Sequence, residues 1–412
     1  MEVIRIDNLQ RQVLTQPNRK QMVKIDLLNN KELVVSTLIG VVLDGNISIS
    51  NKSAFRRNGS LSIAVHNSQL IPSPTSPIWF DKRVQISVGI ENYLNKIIWF
   101  NLGKFAYTSC NIVENIEDTV INLELSDYMS FLDGTLGGRI TTKVKMIDKN
   151  TKINQAIKGI LTGLCDFSIE NIILNGRDLV LPYRIEKQQG ITVYELVKEI
   201  SNLYMGYEIF FDTNGFFIFQ KIRNAKNDEY IWNFDEIDYS ISKNTNIDFT
   251  KVFNDIWIYG HTDNYGVQVI YHLTNRFVGD SQSKLDNIQN KQKGDICYIK
   301  DINKSYVYNG TQWEELGFNV IPDFSVQKIG LKSTIINDNK VYNVEQAKLN
   351  AEYQFFSQGR IAETVSLSCV PIFGLDVNKK IKVKGNDYLI DTIDIPLNYD
   401  GVMNITASKI LY

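Results

Sequence analysis

Few residues in this chain have the spacing that bond-making chemistry needs. The three histidines, His66, His261 and His272, form no H-E-x-x-H pair that could hold a zinc ion. There is no G-x-S-x-G nucleophile elbow and no phosphate-binding loop with its lysine and hydroxyl. The glycine-rich run Gly134-Thr-Leu-Gly137-Gly138-Arg139 lacks that pair and reads as a loop. Carboxylates are plentiful, but nothing singles out the two, about 5 Å apart, that a retaining glycosidase requires. Cys110, Cys165, Cys297 and Cys369 are widely dispersed, which signals neither a zinc site nor a disulfide framework. Cys369 falls on the apolar side of a strand and reads as a small buried hydrophobe. No catalytic, cofactor or metal-binding residue is expected.

Two groups are better suited to binding. Arg56 and Arg57 stand at a polar turn closed by Asn58-Gly59. They read either as a solvated turn or as a clamp at a subunit interface, since arginine pairs with carboxylates through two parallel bonds. Tyr298, Tyr306, Tyr308 and Trp313 crowd one short segment. They would form an aromatic platform for a sugar or a neighbouring subunit, or else the small core of the segment itself.

The elements that must position these residues are mostly strands. At 412 residues, a chain of 43% hydrophobic and 22% charged residues is globular and divides into two to four domains. Twenty Tyr and twenty Phe, with abundant Ile, Val and Thr, favour strands. A formal net charge of −2 argues against a protein whose task is gripping nucleic acid. No apolar run is long enough to span a membrane, and the N-terminus lacks the apolar core of a signal peptide. Manufacture in a cytoplasm-like compartment is therefore expected.

Residues 1–145 read as almost pure β. Leu61, Ile63 and Val65 alternate with polar residues, as do Val84, Ile86, Val88 and Ile90. Residues 146–240 change character. A helix is predicted over 151–163, and Thr192 with Glu195 opens a second one. Two further strands meet at Asn214-Gly215. New strands begin at Phe253 and Val267, a polar stretch follows, and 296–316 reads as a small β module with its own turns. Asn343 caps a helix whose Ala347, Ala351 and Phe355 make one apolar face, and Gly359 stops it. The period then changes to 2 through Val365, Leu367 and Cys369. No self-similarity at fixed spacing is evident.

Several phrases, in this order, resemble the baseplate-hub or tail-tip-hub proteins of long-tailed phages and phage-tail-like particles. They are Gly45-Asn-Ile-Ser-Ile-Ser with Ala54-Phe-Arg-Arg-Asn-Gly-Ser-Leu-Ser-Ile, then Trp79-Phe-Asp-Lys-Arg-Val with Trp99-Phe-Asn-Leu-Gly-Lys-Phe, and lastly Gly374-Leu-Asp-Val-Asn with Tyr388-Leu-Ile-Asp-Thr-Ile. The resemblance spans nearly the whole chain except about 280–318, a segment that resembles a short module found in tail and fibre proteins. It implies a mainly β fold with an α+β part. Two tube-type β-barrels, 1–145 and the split 241–279 with 319–412, would flank an α+β domain at 146–240, and 280–318 would be an inserted β module. It further implies a structural, non-enzymatic subunit in the virion tail, homotrimeric and pseudo-sixfold. Such a ring joins the tail tube or distal tail protein to a central spike or tip, with the tape-measure protein as a further partner, and DNA crosses its lumen without being specifically bound. If the chain is such a subunit, the Arg56–Arg57 clamp would lie at a subunit interface, and the Ala351–Phe355 face of the helix would pack against the barrel or the adjacent subunit. Some relatives carry a lytic domain after the last barrel, and none is expected here, where the chain ends at Tyr412. The competing readings are a carbohydrate-binding receptor protein acting through 280–318 and a cell-wall enzyme.

Overall fold

The computed structural model describes residues 6–410 apart from 66–67, 115–118, 142–143, 166, 177–178, 223–224, 226–227 and 360, so His66 and Leu411 lie outside the described residues. A short helix, α1 (Asn8–Leu14), opens the chain, and Asp7 and Gln10 cap it through reciprocal bonds. Seven strands follow: β1 (Gln21–Leu28), β2 (Val34–Ile39), β3 (Val42–Ser50), β4 (Arg57–Val65), β5 (Arg83–Glu91), β6 (Ile97–Glu114) and β7 (Thr119–Ser126). The predicted alternation is realised: Leu61, Ile63 and Val65 are buried while Ser60, Ser62 and Ala64 face outward.

The middle of the chain contains β8 (Val144–Ile147), α2 (Ile153–Leu164), β9 (Ile172–Asn175), β10 (Ile185–Gln188), α3 (Val193–Asn202), β11 (Tyr207–Phe211) and β12 (Phe217–Lys221). Thr192 and Glu195 form the expected capping box on α3. The β11–β12 turn closes at Gly215, whose φ of +81° suits glycine, and the Asp212 carboxylate accepts from the Asn214 and Phe216 N–H groups. Ile157, Leu161, Leu196 and Ile200 pack on Phe211, Phe217 and Phe219 to make a core of their own. One of the three strand pairs here is parallel, β12 beside β9.

The remaining elements are β13 (Trp232–Asn233), β14 (Ser240–Asp248), β15 (Asp255–Thr262), β16 (Gln268–Gly279), β17 (Asp295–Ile299), β18 (Lys304–Tyr308), β19 (Trp313–Glu315), α4 (Val326–Ile329), β20 (Ser333–Asn337), α5 (Val344–Gln358), β21 (Ala362–Cys369), β22 (Lys380–Val383), β23 (Asn386–Pro396) and β24 (Met403–Lys409). The chain is thus mainly β with an α+β unit in the middle, as the sequence implies.

Strand pairing adds what periodicity does not carry. A 13-stranded sheet runs in the order β14-β21-β24-β23-β3-β4-β7-β6-β5-β1-β2, with β22 and β13 attached at β23. The N-terminal and C-terminal β units therefore join edge to edge, through Ile49 opposite Ile393 and Ile47 opposite Ile395. They share one hydrophobic core, to which Ile63, Ile86 and Phe105 contribute from one side and Val365, Ile393 and Ile405 from the other.

Strands expected to belong together in a split second barrel are divided between two sheets. β14 and β21–β24 enter the large sheet, whereas β15 and β16 begin a six-stranded one, ordered β19-β18-β17-β16-β15-β20. The inserted segment does form strands of its own, but β17 lies parallel to β16 and extends that second sheet. Alternation reveals which face of a strand is buried; it does not name the neighbour along its edge.

Candidate functional site

Arg57 begins β4 and meets two other parts of the chain. Its Nη2 donates to Asp376 Oδ2 at 2.7 Å and its Nη1 to the Phe211 carbonyl at 3.2 Å, while its backbone N–H donates to Asp127 Oδ2 at 2.9 Å. Arg56 donates to Glu208 Oε2 at 2.5 Å, and its guanidinium lies 4.1 Å above the Phe210 ring. Asn378 Nδ2 reaches the same Glu208 oxygen at 2.8 Å. Both arginines are buried, Arg57 at only 2% exposure. Neither expectation for this turn describes it: the side chains are not solvated, and their charges are paired inside the chain, not offered to another subunit. They tie the first β unit to the β11–β12 hairpin and to the loop before β22.

Burial dominates the Asp127 carboxyl and pushes it up to about 6, although the Arg57 and Met129 N–H groups and the Arg57 charge pull the other way. The folded chain keeps a proton here that the unfolded chain, with its ordinary carboxyl, gives up at lower pH. This group's contribution therefore falls as pH rises from about 4 to about 6. Asp127→Asn, which keeps the Met129 cap, should flatten the pH dependence of the melting temperature across that window. An unchanged slope would sink the assignment.

Ala351 and Phe355 lie on the face of α5 that covers β15 and β16, where they pack with Ile256, Ile258 and Leu273. The Asn343 side chain accepts from the Gln346 N–H at 2.8 Å, whereas Gln346 returns its bond to Tyr342, one residue earlier than a capping box would have it. Gln346 Nε2 also donates to the Leu203 carbonyl at 2.8 Å, which fastens α5 to the middle unit.

The four aromatic residues of the insertion do not make a common platform. Tyr306 and Trp313 pack with Cys297, Ile299 and Leu285, and the Trp313 indole N–H donates to the Leu285 carbonyl at 3.0 Å. Tyr298 borders the other core, and its hydroxyl donates to Asn303 Oδ1 at 2.8 Å. Tyr308 meets Trp313 at a tilt of 53°, with centroids 5.4 Å apart, and otherwise lines a cavity beside Trp257 and His272.

Beneath that cavity is a cluster the sequence did not advertise. Buried Asp255 accepts from Thr274 Oγ1 at 2.6 Å, Ser333 Oγ at 2.5 Å and Trp257 Nε1 at 3.0 Å, and lies 2.9 Å from His272 Nε2. Burial alone would raise its carboxyl; the bonds from His272, Ser333, Thr274 and Trp257 outweigh that and hold it well below the usual range. The Thr274 hydroxyl is shared, since its Oγ1 also lies 2.6 Å from His272 Nε2, whereas Ser333 Oγ donates to the carboxylate. The arrangement orients rings and ends strands in place.

The second face of the big sheet has a distinct composition. Across eight adjacent strands, from β14 to β6, registered neighbours are almost all small and polar. One row reads Ser242, Ser368, Asn404, Asp394, Ser48 and Asn58, and ends on the buried Ser126. Another runs from Asn46 through Ser60 and Glu124 to Ser109. Cross-strand bonds brace it: Ser62 Oγ to Asn122 Oδ1 at 2.6 Å and Ser368 Oγ to Asn404 Oδ1 at 2.8 Å. Neither row contains a lysine or an arginine.

Both ends of this eight-strand run are open among the described residues. β14 pairs with β21 on one flank only. β5 ends at Arg83, opposite Ala106, so the far flank of β6 toward Glu114 has no strand against it. Ser109–Glu114 is exposed, as are Ile241 and Ile247 on β14. A sheet edge with apolar side chains is a template for another strand.

No family model matches the sequence, and no curated protein matches it. Solved structures match the fold. The 43 kDa tail protein of prophage MuSo2 from Shewanella oneidensis aligns over 94% of this chain and 98% of its own, with 12% identity and a TM-score of 0.53. A tail protein from Neisseria meningitidis aligns over 94% and 96%, with 9% identity and a TM-score of 0.56. The prophage tail protein gp18 from Listeria monocytogenes aligns over 94% of each chain, with 12% identity and a TM-score of 0.52. At these identities the likeness is one of fold, and it extends over nearly the full length of each partner.

Proposed function

We propose that this chain is a structural subunit of a phage tail, a hub at the baseplate or tail tip, built as a homotrimeric ring. The observation that carries the reading is the eight-strand run with an open edge at each end and a face of Ser, Thr and Asn. Full-length likeness of fold to prophage tail proteins supports it. An open edge on β6 and a different open edge on β14 make a heterologous contact, which repeats head to tail and closes when the rotation allows. Three copies, each contributing a β unit from either end of the chain, present six units to a sixfold tail tube or distal tail protein. The same ring presents three equal faces to a central spike or tip, and a tape-measure protein is a further partner.

The polar face then lines the lumen. Small uncharged side chains with a few carboxylates offer DNA no cationic grip, so the polymer passes without specific binding. Function in this reading is mechanical, and no side chain acts on a substrate. A carbohydrate-receptor role for Tyr298, Tyr306 and Trp313 loses its footing because their rings are engaged within the segment.

The assembly test is native mass spectrometry with electron microscopy of the intact chain. A trimer and a ring are expected. Ile112→Lys and Ile247→Lys, both at exposed edge positions, should leave the subunit folded, with stability changed by no more than about 0.5 kcal/mol, yet return it to monomer. Monomer alone for the natural chain at micromolar concentration, with no ring in the images, overturns the hub reading. Trimers that survive both substitutions overturn the edge assignment alone.

A further inference from the structure

A cavity of about 500 Å3 opens where the inserted strands meet β16 and α5. Trp257, Tyr271 and Tyr308 supply its apolar wall, and Lys293, Lys348 and Glu314 its charged rim. We propose that it binds a saccharide carrying an anionic group, of the kind found in a sugar-phosphate unit of a glycopolymer.

The size falls within the usual range for small-molecule sites, which pair an aromatic wall with a few placed polar groups. A sugar ring has an apolar C–H face that packs on aromatic surface and hydroxyls that need partners at the edge. The aromatic wall is already fixed. The Trp257 indole is held by Asp255 at 3.0 Å, and its ring stacks on His272 with centroids 3.9 Å apart. Immobilising side chains on binding costs entropy, and a ring fixed beforehand avoids that cost.

The sign of the charge follows from which rim groups are engaged. Glu314 already accepts from Asn309 Nδ2 at 2.6 Å. Lys293 is exposed, Lys348 pairs with Glu352 at 3.9 Å, and the Lys291 ammonium lies 5.3 Å from the centre of the Tyr308 ring. Three ammonium groups, Lys291, Lys293 and Lys348, against two carboxylates that are both already engaged favour an anion at the mouth. Bare phosphate would leave the aromatic wall unused, and a neutral sugar would leave the lysines unused.

This inference is independent of ring assembly, because the cavity lies within one chain. The test is calorimetric titration of the full chain with glucose 6-phosphate and N-acetylglucosamine 1-phosphate, using glucose and inorganic phosphate as controls. Saturable binding of at least one sugar phosphate is expected, about tenfold tighter than either control. Lys293→Glu, a surface change, should weaken it about tenfold without moving the melting temperature, and Tyr308→Ala should weaken it further. Absence of saturation with both sugar phosphates overturns the proposal. Inorganic phosphate binding equally well reduces the site to a generic anion patch, glucose binding equally well removes the anionic requirement, and an unaffected Lys293→Glu places the ligand elsewhere.

Discussion

Arg57→Met should destabilise the fold by about 3–5 kcal/mol, the usual cost of removing one partner from a buried ion pair. The guanidinium is 2% exposed and serves the Asp376 carboxylate and the Phe211 carbonyl at once. Methionine fills the volume but leaves Asp376 charged, only 15% exposed and without its cation. The loss would be felt between units, because the two acceptors belong to β11 and to the loop before β22. Calorimetry should therefore show a lower and broader transition, down by roughly 10 °C. Arg57→Lys keeps the charge but cannot serve two acceptors in a fixed fork, and should recover only part of the loss. Removing both charges, as Arg57→Met with Asp376→Leu, should recover more of it than the lysine does, since an apolar pair of similar volume is often as stable as the ion pair it replaces. A single Arg57→Met variant within 1 kcal/mol of the natural chain would show that the pair is not holding the units together.

Much of the fold was legible in the residues, and what was hidden was a matter of neighbours. The Thr192–Glu195 box, the Asn214-Gly215 turn and the α5 face are local signals, and each formed where its residues put it. Arg56 and Arg57 look like turn residues in the sequence because the carboxylates that bury them, Glu208 and Asp376, are 152 and 319 positions away. The assignment of β15 and β16 to the second sheet depends on which edge they meet, and no alternation carries that. Asp255 was silent for the same reason: its partners come from β15, β16 and β20. The polar face did leave a trace. Asn46-Ile-Ser-Ile-Ser, Ser60-Leu-Ser-Ile, Thr364-Val-Ser-Leu-Ser and Asn404-Ile-Thr-Ala-Ser share one alternation, apolar inward and small polar outward. A solvated sheet face normally carries lysine and glutamate; four strands from opposite ends of the chain that avoid lysine on that face point to a shared surface with its own requirement.

Ala351→Glu tests the other long-range seam. Ala351 is fully buried, and its side of α5 rests on Ile256, Ile258 and Leu273. A glutamate there must either stay ionised among apolar side chains, take up a proton, or push the helix off the sheet. Each route costs several kcal/mol, a large fraction of the margin by which a domain is stable. The expected outcome is a chain that loses the α5 seam, with a melting temperature lower by roughly 10 °C or more and early proteolysis within 344–358. Ser357→Glu, on the exposed side of the same helix, is the matched control and should stay within about 0.5 kcal/mol. The pair separates two roles for this face. If α5 packs within its own chain, Ala351→Glu lowers the stability of the isolated monomer obtained with Ile112→Lys. If the face instead met a neighbouring subunit, that monomer would melt unchanged and only ring assembly would suffer. The burial of Ala347, Ala351 and Phe355 in one core with β15 and β16 predicts the first result.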